Sequence, residues 1–165
     1  MLFRSQRVNL NELTPEQVAA WKPGQTLLLN GKMLTGRDAA HKRIQDMVEQ
    51  GQPLPVDFHN RVIYYVGPVD PVRNEVVGPA GPTTATRMDK FTETMLAKTG
   101  LIAMIGKAER GPEAIEAIRR HKSAYLMAVG GAAYLGVLAL SGSSELRELG
   151  GLIRRRGRGA ARVSP

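Results

Sequence analysis

The chain contains no cysteine in 165 residues. That excludes disulfides, and it excludes thiolate ligation of zinc or of an iron–sulfur cluster by this chain itself. Long apolar runs are also missing. The longest, near residues 124–140, is interrupted by Gly130-Gly131 and Gly136, so no segment reaches membrane-spanning length. The first seven residues, Met1-Leu2-Phe3-Arg4-Ser5-Gln6-Arg7, carry no apolar core of signal-peptide size. No internal repeat is visible. A cytoplasmic setting with no membrane partner is the expectation.

What is present is one domain's worth of sequence, 42% hydrophobic, with a formal charge of +8. Such a charge points toward nucleic acid or an acidic surface. It is unevenly spread, however. Arg154, Arg155, Arg156, Arg158 and Arg162 account for five of the eight charges. The body is mildly basic, and a nucleic-acid reading rests on the tail alone.

Taken in order, residues 1–25 read as an opening segment. Thr14-Pro15-Glu16-Gln17 has an N-cap threonine, proline at the first helical position and glutamine at the third, a capping-box pattern. A short helix to about Trp21 is expected. Residues 26–30 form an apolar run bounded by glycine, a strand, and Asn30-Gly31 is a hairpin signal that would make residues 32–35 its partner. A helix opens at Gly36-Arg37-Asp38 and runs to about Gln50, with Ala40, Ile44, Met47 and Val48 inward. Residues 61–66 are β-branched and aromatic, a strand buried on both faces. Met88, Phe91 and Met95 mark a helix over residues 88–98. A buried strand at 101–105 then delivers Gly106-Lys107. A helix from Gly111-Pro112 to about His121 places Ile115 and Ile118 inward, and a third buried strand covers 124–129. Strand alternating with helix argues an α/β fold with a partly parallel sheet.

The most informative stretch is Gly78-Pro79-Ala80-Gly81-Pro82-Thr83-Thr84-Ala85-Thr86-Arg87, a Gly/Pro turn feeding hydroxyls and a guanidinium into a helix start. Helical spacing would put Thr83 and Arg87 on one face, where a helix N-terminus favours an anion. The competing reading is ordinary N-capping by threonine. This stretch, Gly106-Lys107 and Gly130-Gly131 all fall at the C-terminal ends of expected strands, where ligands collect in open α/β sheets. That convergence favours a site.

Five blocks carry a family resemblance: Thr35-Gly36-Arg37-Asp38-Ala39-Ala40-His41; Val62-Ile63-Tyr64-Tyr65-Val66-Gly67-Pro68; Gly78 to Arg87 with Met88-Asp89; Met104-Ile105-Gly106-Lys107; and Met127-Ala128-Val129-Gly130-Gly131-Ala132-Ala133-Tyr134. Together, over roughly residues 8–135, the chain resembles the C-terminal (β) portion of class I, iron–sulfur-dependent fumarate hydratases. The L-tartrate dehydratase β subunit shares that architecture.

The resemblance implies a swivelling β/β/α domain, here residues 26–135, and a hydro-lyase that interconverts fumarate and malate in the tricarboxylic acid cycle. It implies a two-part active site whose α portion holds a [4Fe–4S] cluster on three cysteines, and a dimer of the two-part unit. The absence of cysteine agrees with this chain being only one half, inactive alone. Carried over residue by residue, Arg37, Thr83, Arg87 and Lys107 match substrate-site positions. Thr83 matches the proposed base, and Arg37, Arg87 and Lys107 match carboxylate and hydroxyl contacts. The chemistry is consistent. Fumarate is a dianion that needs cations, arginine gives planar bidentate contacts and lysine a point charge. Charge built beside a carboxylate is stabilised by preorganised cations. The iron would act as a Lewis acid.

Arginine is electrostatically misplaced at a helix N-terminus, which makes a ligand-facing role for Arg37 more credible. Asp38 and His41 read as supports of the site or caps. His59 and His121 read as surface residues, Thr84 and Thr86 as caps or solvent-facing, Tyr64 and Tyr65 as core. Asp70 and Glu75, in one loop, carry little weight as a carboxylate pair.

From Gly136 onward the resemblance stops, and residues 136–165 are a glycine-, serine- and arginine-rich tail expected to be disordered at its end. A divergent native end and a shifted reading frame both account for it, and a domain incomplete at its C-terminus is the expectation. Three functions remain open. One is half of a fumarate hydratase. Another is the β subunit of a tartrate dehydratase. The third is a non-catalytic module using its arginine tail on RNA.

Overall fold

A computed structural model describes residues 6–67, 81–128 and 161–163 of the chain. Its main sheet has the strand order β6-β5-β4-β3-β7. The strands β3 (Met33–Thr35), β4 (Val62–Tyr64), β5 (Ala103–Gly106) and β6 (Ala124–Met127) run mutually parallel. The backbone of β7 (Ala161–Val163) pairs antiparallel to β3. The rest of the tail, along with Gly130-Gly131, Asp70 and Glu75, lies outside the described residues.

The alternation of side chains along β4 and β5 explains the layering. Val62, Tyr64, Val66, Ala103 and Ile105 point to one face, and Ile63, Tyr65 and Met104 to the other, all buried. The first face is covered by Val8, Leu10, Leu13 and Val18 from the opening segment. That segment contains β1 (Gln6–Asn9) and α1 (Pro15–Ala19), and β1 pairs in parallel with β2 (Leu27–Asn30) in a separate two-stranded sheet. The second face is covered by α2 (Asp38–Glu49), α3 (Asp89–Thr99) and α4 (Pro112–Arg120) through Ile44, Phe91, Met95, Leu96 and Ala117. The result is a mixed α/β fold, small sheet on main sheet on helices.

Local signals account for most boundaries. Thr14 caps α1 with the reciprocal Thr14–Gln17 capping box and Pro15 at its start. Gly100 ends α3 at φ 76°, a left-handed cap that a side chain would resist, with the His59 ring packed against the position.

Three expectations are corrected. Asn30-Gly31 does not make a hairpin, because β2 pairs with β1 and β3 pairs with β4. Gly31 instead packs against Leu10 and Asn11, whose Oδ1 accepts from Lys32 N at 2.9 Å, and the turn passes the chain between sheets. On α4, Ala114 and Ala117 take the buried face, Ile118 packs partly against it, and Ile115 is 47% exposed. Finally, β6 is half-buried rather than buried on both faces, with Met127 exposed.

Candidate functional site

Parallel pairing puts the C-terminal ends of β3, β4 and β5 at one edge, and each delivers part of the site. Beyond β3, Arg37 occupies the N-cap of α2 without any side-chain cap bond. Its guanidinium lies across Gly67, just past β4. A Cβ built on Gly67 would stand 2.9 Å from Arg37 Nε, closer than real contacts allow. Beyond β5, Lys107 is exposed and forms an isolated parallel bridge with Thr84.

The segment carrying Thr83 is extended. Thr83 N donates to Tyr65 O at 2.7 Å, Lys107 N donates to Thr83 O at 3.2 Å, and Ala85 N donates to Lys107 O at 3.0 Å. Residues 83–85 are therefore laced between the ends of β4 and β5 as a short continuation of the sheet. A 3-10 turn, Ala85–Met88, follows and leads into α3. This corrects the helical spacing expected for Thr83 and Arg87: Thr83 precedes the turn and Arg87 lies within it. It also corrects the capping alternative. Thr84 is the N-cap of the turn and makes no side-chain cap bond, and Thr86 Oγ1 donates instead to Glu109 O at 3.0 Å.

Two arginines share one carboxylate. Arg87 Nε donates to Asp38 Oδ1 at 3.0 Å, while Arg37 Nε stands 4.0 Å from Asp38 Oδ2. Asp38 is the first residue of α2, so the helix start that presents Arg37 also fixes Arg87. The four cation and hydroxyl positions thus fall into two joined pairs, Arg37 with Arg87 through Asp38 and Thr83 with Lys107 through the backbone. Two guanidinium groups against one carboxylate leave one positive charge uncompensated there, and Lys107 is a separate exposed cation at the end of β5.

His41 sits beneath this edge and is 1% exposed. Its Nδ1 is 2.9 Å from Arg37 O, so Nδ1 carries the proton and donates to the carbonyl. The ring packs edge-on to Tyr65 and against Phe91, and Nε2 has no hydrogen-bond partner among the described residues. Burial holds its pKa down to about 4, so the imidazole is neutral. It lies behind Arg37, bonded to that residue's carbonyl. Tyr64 and Tyr65 are core residues, both pushed up to about 12 by burial. His59 is on the surface, and His121 is half-buried and pairs with Glu93 at 2.9 Å.

Sequence reasoning missed Gly67, Asp89 and Arg110. Arg110 is buried, with Nε 2.6 Å from Asp89 Oδ1. Nothing local announces an ion pair 21 residues apart in sequence. For Gly67 the glycine after a strand was a visible signal, but not the arginine that lies over it.

Among the described residues no cluster of three His, Asp or Glu side chains is placed to hold a metal ion, and no helix is long and apolar enough to cross a membrane. With no cysteine in the sequence, this chain's residues do not fit an iron–sulfur cluster.

Comparison with known proteins gives a family match over residues 3–150, to the model described as "Fumarase C-terminus". The class I aerobic fumarate hydratase of Escherichia coli is 34% identical over 130 residues, 77% of this chain and 24% of that protein. The mitochondrial fumarate hydratase 1 of Leishmania major is 36% identical over 129 residues, 76% of this chain and 24% of that protein. A candidate L(+)-tartrate dehydratase subunit beta of Methanocaldococcus jannaschii is 35% identical over 127 residues, 76% of this chain and 65% of that protein. The chain thus spans about a quarter of the length of these fumarate hydratases.

Proposed function

This chain belongs to the fumarase C-terminus family, and we propose that it is the β portion of a class I fumarate hydratase, of the swivelling type, contributing one wall of a two-part active site. The observation that carries the reading is the strand-end edge where Arg37 and Arg87 flank Asp38 while Thr83 and Lys107 are joined by backbone hydrogen bonds. Arg37, Arg87 and Lys107, set against the single carboxylate of Asp38, supply the cations that the two carboxylates of fumarate or malate require. Arg37 and Arg87 bind carboxylate, with planar forks that suit its geometry. Lys107 adds a point charge beside Thr83.

In the malate-to-fumarate direction, Thr83 first gives its hydroxyl proton to solvent, the alkoxide being held by the positive charge of Lys107 and Arg87. It then takes the proton from the carbon adjacent to a carboxylate to become the neutral hydroxyl. The negative charge that builds on that carboxylate is met by cations already in place. In the reverse direction the same hydroxyl returns the proton. The [4Fe–4S] cluster belongs to a cysteine-bearing α portion outside this chain, and events at the hydroxyl-bearing carbon fall to that portion. The chain alone is inactive.

The test is reconstitution with a cysteine-bearing α portion, following fumarate by ultraviolet absorbance. Thr83→Ala is expected to lower kcat by well over ~100-fold with a modest change in KM. Near-normal turnover would remove Thr83 as the base. A second reading, a tartrate dehydratase β subunit, is favoured by the larger share of the Methanocaldococcus protein that the chain covers. Offering L-tartrate and malate to the same reconstituted pair separates the two by the ratio of kcat/KM values.

A further inference from the structure

The turn that carries Lys107 is fastened more heavily than a surface turn requires. Directly after Lys107, Ala108 has φ 62°, a left-handed conformation that a non-glycine residue holds only when its surroundings over-determine it. Those surroundings are specific. Tyr125 OH donates to Ala108 O at 2.8 Å, and Thr86 Oγ1 donates to Glu109 O at 3.0 Å. Gly111 N donates to Asp89 Oδ2 at 2.6 Å. Between them the Arg110 side chain turns inward. Its Nε reaches Asp89 Oδ1 at 2.6 Å, one terminal nitrogen donates to Thr92 Oγ1, and the other lies 3.4 Å from Tyr65 OH and 3.7 Å from Met104 Sδ. The guanidinium also sits 5.4 and 5.1 Å from the ring centroids of Tyr65 and Tyr125.

A buried ion pair is a poor device for stability alone, because desolvation offsets its attraction and an apolar pair often does as well. What this pair does is geometric. Asp89 begins α3, immediately after the 3-10 turn that holds Arg87, and Arg110 is three residues past Lys107. Tyr65, which contacts Arg110, is also the residue whose carbonyl receives Thr83 N. The guanidinium therefore joins all three segments that carry the proposed site groups of this half beyond Arg37.

We propose that Arg110, anchored by Asp89, is a positioning residue for Lys107: it locks the left-handed turn at Ala108 and holds Lys107 in register with Thr83 and Arg87. The proposal rests on the functional reading above for its meaning in catalysis, and its structural half is testable apart from it.

Two measurements do so. In the full chain, brief acetylation followed by peptide mass spectrometry gives the reactivity of Lys107 relative to the exposed Lys22 and Lys98. In Arg110→Met and in Asp89→Asn, with folding checked by the unfolding midpoint, the relative rate of Lys107 is expected to rise about three-fold or more as the turn loosens. Tyr125→Phe, which removes only the bond to Ala108 O, is expected to give a smaller rise. It keeps the test sharp if the Arg110 variant does not fold. A Lys107 rate unchanged in the folded variants overturns the proposal.

In the reconstituted enzyme, Arg110→Met is expected to lower kcat by roughly 10- to 100-fold, as misplacement of a reacting-site group does. Added to a Lys107→Met background, it is expected to lower kcat little further. Additive losses would mean that Arg110 acts through general stability and would overturn the proposal. If the wild-type pair hydrates no dicarboxylate, the functional reading fails while the acetylation result still decides whether Arg110 sets Lys107.

Discussion

His41 makes the stability of this chain sensitive to mild acid, and the size of the effect follows from its surroundings. The imidazole is packed between Tyr65 and Phe91 and donates through Nδ1 to the Arg37 carbonyl. Burial dominates and depresses its pKa, the Arg37 carbonyl opposes that, Arg110 lowers it further and Asp38 raises it, leaving a value of about 4. In the unfolded chain the ring titrates near 6.5. Because the folded pKa is the lower one, folding stability from this group is full above pH 6.5 and drains as the pH falls toward 4. The whole shift corresponds to roughly 3 kcal/mol, and about 2 kcal/mol of it is lost by pH 5. That choice of pH matters, since most carboxylates are still ionised there. Urea unfolding of the full chain, followed by Trp21 fluorescence at pH 7.5 and pH 5, measures the loss. His41→Asn keeps an N–H for the Arg37 carbonyl, does not titrate, and leaves a small cavity that lowers stability equally at both pH values. The difference between the two pH values is expected to shrink by about 2 kcal/mol in the variant. An identical pH dependence in wild type and His41→Asn would refute the reasoning.

Two further outcomes follow from the packing. Gly67→Ala puts a methyl against the Arg37 guanidinium, so the reconstituted enzyme is expected to show a KM for malate raised by about ten-fold, with the unfolding midpoint nearly unchanged. An unchanged KM would mean that the position of Arg37 over Gly67 is not the binding position. Phe58→Ala removes a ring that is 1% exposed in the helix-side core, and urea unfolding is expected to show a loss of about 3–5 kcal/mol.

The parts of this fold that were legible in the sequence are those governed by neighbours in the chain. The capping box at Thr14, the apolar stripes of α2 and α3, and the continuous burial of Val62–Val66 each follow from a periodicity or a short motif. The failed hairpin shows the boundary of that reasoning. Asn30-Gly31 has turn chemistry, and the chain does turn there. Which strand then receives Met33–Thr35 is decided by burial of Leu34, which packs with the helix-side core beside Ile63, 29 residues later. A local motif specifies the turn, and the tertiary core selects the partner.

The same division runs through the candidate site, where the strand order places the segments and the helical-spacing argument fails. That the segments bearing Arg37, Thr83 and Lys107 follow the C-terminal ends of β3, β4 and β5 requires only that these strands be parallel, because parallel strands end at one edge. The conformation at Thr83 depends on something else, the two carbonyls and one amide that the ends of β4 and β5 leave unpaired. Tyr65 O, Lys107 N and Lys107 O are all taken up by residues 83–85. Buried backbone groups need partners, so the segment is drawn out as an extra length of strand before its helix can begin. The consequence for chemistry is direct. A threonine on a helix face would move with its helix, whereas Thr83 is tied by its own backbone to the strand end that bears Lys107 and to the residue whose hydroxyl meets Arg110. The base proposed for this half-site and the cation beside it thus share one rigid support, the sheet.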